Sequence, residues 1–234
     1  MPEFVELLRY DALIVTTLNA GLGIWPRFDN ILHVVNSSAL FKGIPFLTVI
    51  WWIGARDEPS GNVINGFLLR VLAGLAIALL AARMLQNYGP LHLRPIAEPA
   101  LALKAFSAND PGYFRKLNSF PSDHAVQFFS LAFAIGARHW KLGASFALWT
   151  LLGICLPRVY FGYHYPSDIL AGAVLGVAIM AIALWLPMPR GMAQAQTRLN
   201  AAMPGLLPAF VFVVSCEMAV NFNNIRDLLR IFGV

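Results

Sequence analysis

The sequence predicts an all-α fold: a polytopic transmembrane helix bundle of five to six spans, with amphipathic helices at its N-terminal end. Three observations carry that prediction. Hydrophobic residues make up 58% of the 234 and charged residues only 12%, at a mean hydropathy of +0.64, whereas soluble domains carry about 25% charge. The apolar residues gather into segments approaching the roughly 20 that a helix needs to cross a bilayer. Between Arg94 and Asp168, polar residues of catalytic type fall near the ends of those segments. With no internal repeat and no low-complexity run, residues 1–234 read as a single domain.

Residues 1–38 are mixed. Phe4, Val5, Leu7, Leu8 and Ile14 alternate with Glu6, Arg9 and Asp11, and Gly21, Gly23 and Pro26 interrupt before Phe28, Ile31, Leu32 and Val35 resume at helical spacing. Charges come too often for a span, so one or two helices lying in the interface are expected. The bundle then occupies residues 40–220. Its first span is Leu40 to Ala55, ended by Arg56-Asp57-Glu58-Pro59 and helped by Trp51 and Trp52, residues that favour the membrane interface. The second runs from Val63 to Leu85. Residues 86–120 hold Pro90, Pro95, Pro99 and Pro111 and are too polar to span, so they form a surface loop or lid with one short helix. The third span is Pro121 to Ala137 and the fourth Leu142 to Leu156, joined by Arg138-His139-Trp140-Lys141. The fifth is Ser167 to Leu186 and the sixth Leu206 to Val220, with a polar linker between them and an amphipathic tail from Asn221.

A net charge of +5 and a pI near 9.5 come without a basic run or a nucleic-acid-binding motif. Nucleic acid is therefore excluded as a partner, and the excess charge is assigned to membrane flanks and a phosphate site. Cys155 and Cys216 both lie in apolar segments, which argues against a disulfide or metal framework. Glu3 and Glu6 stand where a cleavable signal would be basic.

The map places the 86–120 loop and the Pro157–Pro166 loop on one membrane face, because two spans separate them. Three polar blocks therefore meet there: Arg94-Pro95, Pro121-Ser122-Asp123-His124, and Arg158 with His164 and Asp168. Two arginines, two histidines and a carboxylate suit phosphoryl transfer through a histidine. Guanidinium forks bind phosphate oxygens, one imidazole attacks, a carboxylate orients it, and the other imidazole protonates the leaving oxygen. Asp168, Gly172 and Gly176 share a helix face, and the glycines admit a neighbouring helix, so Asp168 should point into the bundle.

On these blocks the chain resembles the type 2 phosphatidic acid phosphatase (PAP2) family, membrane lipid phosphatases related to vanadium haloperoxidases. That family's signature is K-x6-R-P, P-S-G-H and S-R-x5-H-x3-D. The likeness covers roughly Arg83 to Gly176, with three departures: Asn87 for the lysine, Asp123 for the glycine and Pro157 for the serine. It implies His164 as nucleophile, His124 as general acid, Asp168 as the orienting carboxylate, and Arg94, Arg158 and Ser122 as phosphate ligands. It also implies a phosphohistidine intermediate, with no metal and no cofactor. Arg83, one turn before Asn87, is expected to supply the missing charge, and Asp123 to act at the phosphate beside His124. The substrate implied is a membrane lipid phosphate, with a lean towards a polyprenyl diphosphate such as undecaprenyl diphosphate. By the same likeness the site belongs outside a bacterial inner membrane. The positive-inside rule points the other way, since only Arg56, Arg70, Arg138, Lys141, Arg190 and Arg198 of the 17 basic residues fall on the opposite side.

Competing readings remain open at this level. Ser122 or Asp123 could merely cap a helix, and Asp168 could make a structural hydrogen bond. Lys104, Arg115 and Lys116 read as headgroup-attracting residues, and His33, His92 and His139 as structural. Glu217 either pairs with a base or lies at the end of its span. A phosphatidic acid or phosphatidylglycerophosphate phosphatase, a lipid phosphotransferase, and a non-catalytic transporter or scramblase are the alternative functions.

Overall fold

The computed structural model describes residues 2–56, 66–187, 190–203 and 205–220, and every regular element among them is helical. The tail expected from Asn221 and the start of the second span at Val63 lie outside the described residues. In order, the helices are α1 (Pro2–Asn19), α2 (Pro26–Ser37), α3 (Gly43–Arg56), α4 (Gly66–Tyr88), α5 (Asp110–Phe114), α6 (Asp123–Gly136), α7 (Trp140–Trp149), α8 (Leu156–Tyr160), α9 (Pro166–Trp185), α10 (Arg190–Ala202) and α11 (Leu206–Ala219). A π-helical segment, Thr150–Cys155, joins α7 to α8.

Among the described residues, three helical stretches are long and apolar enough to cross a membrane: Gly66–Tyr88, Trp140–Tyr160 and Pro166–Trp185. The helices α3, α6 and α11 have 14 residues each. At 1.5 Å per residue they extend about 21 Å, short of a hydrocarbon core of about 30 Å.

The centre of the bundle is α6 packed against α9, with α4 alongside both. Glycine makes that contact possible. A Cβ at Gly172 would come within 2.6 Å of the Ser122 carbonyl oxygen, and one at Gly176 would collide with the carbonyl oxygen of Val126. Phe46, Phe128, Leu131, Ile135, Leu75 and Met180 are fully buried around this axis. The α9 face bearing Asp168 thus lies inside, as its spacing predicts.

The two N-terminal helices are built inside out. On α1 the buried positions are Asp11, Val15 and Asn19, while Tyr10, Leu13 and Ile14 are exposed; α2 buries Asp29 and Asn36 and exposes Phe28, Ile31 and Val34. Each buried polar group is spent on the bundle. Asp11 accepts from Ser167 N–H at 3.0 Å. Asn19 donates to the carbonyls of Lys104 and Tyr160, both at 3.0 Å. Asp29 accepts from the Tyr160 hydroxyl at 2.5 Å.

The fourth segment corrects one expected boundary. Pro157 does not open a loop: the chain stays helical to Tyr160. Proline lacks the N–H that an α-helical turn would use. The wider i→i+5 turns of Thr150–Cys155 stand immediately before it and absorb that loss. Likewise Pro121 lies outside the helix that it was expected to begin, because Ser122 is the N-cap of α6. Within 86–120 the chain forms two 3-10 turns, Pro95–Ala97 and Pro99–Leu101, and the short α5.

Candidate active site

The site lies where the 86–120 loop crosses the N-terminal ends of α6 and α9. Backbone bonds lock the three blocks together. Ser122 N–H donates to the Asp168 carbonyl at 3.1 Å, Ser119 N–H to the His92 carbonyl at 2.8 Å, and Ile96 N–H to the Gly162 carbonyl at 2.8 Å. Gly162 holds φ +72, the left-handed turn that ends α8 and delivers His164.

His164 is fully buried. Its Nδ1 lies 3.0 Å from the backbone oxygen of Ser119, which can only accept, so the proton sits on Nδ1 and the lone pair on Nε2. Nε2 receives a hydrogen bond from Arg94 Nη1 at 3.2 Å. Burial, then the Arg94 charge, push the His164 pKa down to about 4, so the ring is neutral at neutral pH. Asp168 stands behind it. One carboxylate oxygen is 3.7 Å from His164 Nδ1 and accepts from the Ser119 hydroxyl at 2.5 Å and from Tyr165 N–H at 2.8 Å.

His124 is held by its sequence neighbour. Asp123 Oδ1 accepts from the His124 N–H at 2.9 Å and lies 3.0 Å from its Nδ1, so Nε2 is left for the cavity. Asp123 Oδ2 accepts from Arg83 Nη2 at 2.9 Å. The second block thus forms a line from Arg83 through Asp123 to His124.

A cavity of about 910 Å³ opens in front, lined among others by Arg83, Asn87, Arg94, Asp123, His124 and Arg158. Arg94 is fixed by its bonds to the carbonyls of Tyr163 (3.1 Å) and Asn118 (3.4 Å) and by the Phe114 ring 5.0 Å away. Arg158 lies 5.9 Å from the Tyr163 ring and donates to Asn36 Oδ1 at 3.5 Å. Burial and the neighbouring Arg158 lower the Arg94 pKa to about 10, which leaves it charged at neutral pH. The Nε–H groups of both arginines are buried and have no hydrogen-bond partner among the described residues.

Comparison with known proteins fits this arrangement. The family model of the PAP2 superfamily matches residues 68–192, more than half of the chain. The chain belongs to the PAP2 superfamily. It is 34% identical over 151 residues to the undecaprenyl-diphosphatase BcrC of Bacillus subtilis (strain 168), covering 64% of this chain and 70% of that one. It is 28% identical over 159 residues to YbjG of Escherichia coli (strain K12), covering 67% and 74%. A 70-residue stretch, 29% of this chain, is 44% identical to the bacitracin transport permease protein BcrC of Bacillus licheniformis, of which it spans 33%. No solved structure matches. With its apolar helices, this PAP2 protein is an integral membrane protein.

The fold brings the PAP2 residues together, but not all at the cavity wall. His164, Asp168 and Ser122 are fully buried; Arg94 covers His164, and Ser122 accepts from Ala125 N–H as the cap of α6. Arg83 meets Asp123. Three further residues belong to the site. His92, expected to be structural, lies 3.2 Å from Asp168 Oδ1 and stacks on Tyr165, ring centroids 5.0 Å apart; that carboxylate raises its pKa. Its position two residues before Arg94 was the signal for it. Ser119 touches both His164 and Asp168, and Lys42 lies 3.5 Å from His124 Nε2. Lys116 also lines the cavity, whereas Lys104 is spent on the carbonyls of Ala20 (2.8 Å) and Leu22 (2.9 Å) at the end of α1. His33 stacks on Phe106 with centroids 4.4 Å apart, and His139 lies beside Trp52.

Proposed function

We propose that this PAP2 protein is a membrane phosphohydrolase that removes the terminal phosphate of a polyprenyl diphosphate through a phosphohistidine. One observation carries the reading: two arginines whose buried Nε–H groups have no hydrogen-bond partner among the described residues line a cavity that also receives a histidine held by a carboxylate. Such donors match the oxygens of a phosphoryl group. Relatives named as undecaprenyl-diphosphatases support the substrate class.

In the proposed reaction the terminal phosphoryl group enters between Arg94 and Arg158. Arg94 exchanges its bond to His164 Nε2 for bonds to phosphate oxygens, which uncovers the lone pair. Nε2 bonds to phosphorus as the bond to the bridging oxygen breaks, and that oxygen leaves on the lipid monophosphate with a proton from His124. Asp168 and the Ser119 carbonyl hold the Nδ1 proton, so the charge forming on the His164 ring is met by a carboxylate. Water then attacks phosphorus, His124 takes its proton, and the Nε2–phosphorus bond breaks to release phosphate. Asp123, held by Arg83, keeps His124 oriented for both proton transfers.

In the membrane, α3, α6 and α11 join the three long stretches as shorter spans, giving six. The apolar outer faces of α1 and α2 lie in the interface beside the site, and the site faces the exterior of the cell.

The test is phosphate release by the purified protein from a panel of lipid phosphates, with a rapid quench after terminal-labelled polyprenyl diphosphate. An acid-labile label on the wild-type chain, absent in His164→Gln together with turnover, is the expected result. Continued turnover by His164→Gln would end the covalent mechanism.

A further inference from the structure

We propose that Lys42, from the turn between α2 and α3, forms a second phosphate subsite that holds the departing lipid monophosphate and makes the enzyme prefer diphosphates. This rests on the phosphohydrolase reading above.

Lys42 is only 8% exposed, and it lines the cavity. Its ammonium donates to the neutral Asn36 carbonyl, and Nζ lies 3.5 Å from Nε2 of His124. A buried ammonium on a neutral carbonyl is not offset by an ion pair there, and favours an anionic ligand. Asn36 places it further, because the same residue that binds Lys42 through its carbonyl accepts from Arg158 through its side chain at 3.5 Å. Lys42 therefore sits between the proton donor and a phosphoryl-binding arginine. A second phosphate attached through the oxygen that His124 serves would have to pass beside Nζ.

The chemistry distinguishes two leaving groups. When a diphosphate is cleaved, the bridging oxygen departs on a phosphate, whose second pKa is about 6. Negative charge builds on that oxygen before the His124 proton reaches it, and a fixed cation stabilises that charge. When a lipid monophosphate is cleaved, an alkoxide departs and depends on the proton from His124, with no second phosphate to bind. Asn87, at the cavity wall, brings no charge to the site, and Lys42 supplies it from another segment.

The experiment compares wild type, Lys42→Met and Lys42→Arg on a polyprenyl diphosphate and on the matching monophosphate. In Lys42→Met, kcat/KM for the diphosphate should fall roughly ten- to hundredfold more than for the monophosphate, the size of one hydrogen bond to a charged group, and Lys42→Arg should recover most of it. A parallel arm measures binding of inorganic diphosphate and orthophosphate to the same proteins. Wild type should favour diphosphate, and Lys42→Met should lose about tenfold of that preference. An equal fall on both lipids, or an unchanged binding preference, would overturn the subsite. If wild type hydrolyses neither lipid, the functional reading fails, and the binding arm still decides the role of Lys42. Should Lys42→Met lose its unfolding transition, Lys42→Gln, which keeps a donor for the Asn36 carbonyl, replaces it.

Discussion

Arg94 Nη1 lies 3.2 Å from Nε2 of His164, so the arginine that should grip the phosphate caps the lone pair that should attack it. In the proposed reaction, phosphate binding and uncovering of the nucleophile are a single event. An arginine used this way has two measurable roles, as a ligand and as a positive charge beside the ring.

Removing that charge should move the pH dependence. His164 is held near pKa 4 by burial first and Arg94 second. In the proposed reaction the neutral ring is the nucleophile, so a lowered pKa extends activity to acid pH, and the acid limb of kcat/KM should fall well below the ordinary histidine value of about 6.5. Arg94→Gln should cut kcat/KM by roughly a hundredfold, through lost charged hydrogen bonds. It should also shift the acid limb upward, though not fully, because burial remains. A limb that stays put in Arg94→Gln would show that the guanidinium does not act on the ring.

Arg83 and Asp123 should behave as one unit. Their ion pair of 2.9 Å stands behind His124, so either loss releases the same imidazole. Arg83→Ala and Asp123→Asn should each lower kcat roughly three- to tenfold, and the double variant should lower it little further. Multiplicative losses would instead place Arg83 directly on phosphate. Asp123→Gly should in addition bring the alkaline limb to lower pH, since the imidazolium loses its carboxylate.

Ser119 is the least conspicuous member of the site. Its hydroxyl donates to Asp168 at 2.5 Å, and its carbonyl fixes the His164 tautomer at 3.0 Å. Ser119→Ala keeps the carbonyl and removes the hydroxyl. We expect kcat to fall about tenfold with KM nearly unchanged, because the loss is in orientation and not in substrate binding. A purely structural serine would change thermal unfolding and leave kcat alone.

The α6–α9 contact gives a stability prediction. At Gly176 a side chain must enter the space of the Val126 carbonyl and of Ser130 Oγ. Gly176→Val should cost on the order of 1–3 kcal/mol by overpacking, read as a lower midpoint of thermal unfolding in detergent. Gly191→Val is the control, since nothing lies near a Cβ there. Equal midpoints for the two variants would mean that the helices separate at little cost.

Much of this protein is written locally. Apolar runs interrupted by charge and proline fix where α4 and α9 lie, because the cost of unpaired backbone in lipid leaves the helix as the way across. The spacing of Arg158, His164 and Asp168 fixes one end of the site, since α8, the turn after it and the first residues of α9 hold all three. The four-residue interval from Asp168 to Gly172 and Gly176 fixes which face of α9 is buried. What the tertiary structure decided is longer in range. Lys42 and Asn36 reach His124 and Arg158 from more than 80 residues away, and no local pattern marks them, because one lysine in a turn looks like any other. Arg83 went to Asp123, although one-turn spacing from Asn87 had pointed it towards phosphate. The π turn before Pro157 carried Arg158 on a helix where proline alone predicts a break. Spacing along a chain dictates which residues share a face, while packing between segments dictates which charges meet.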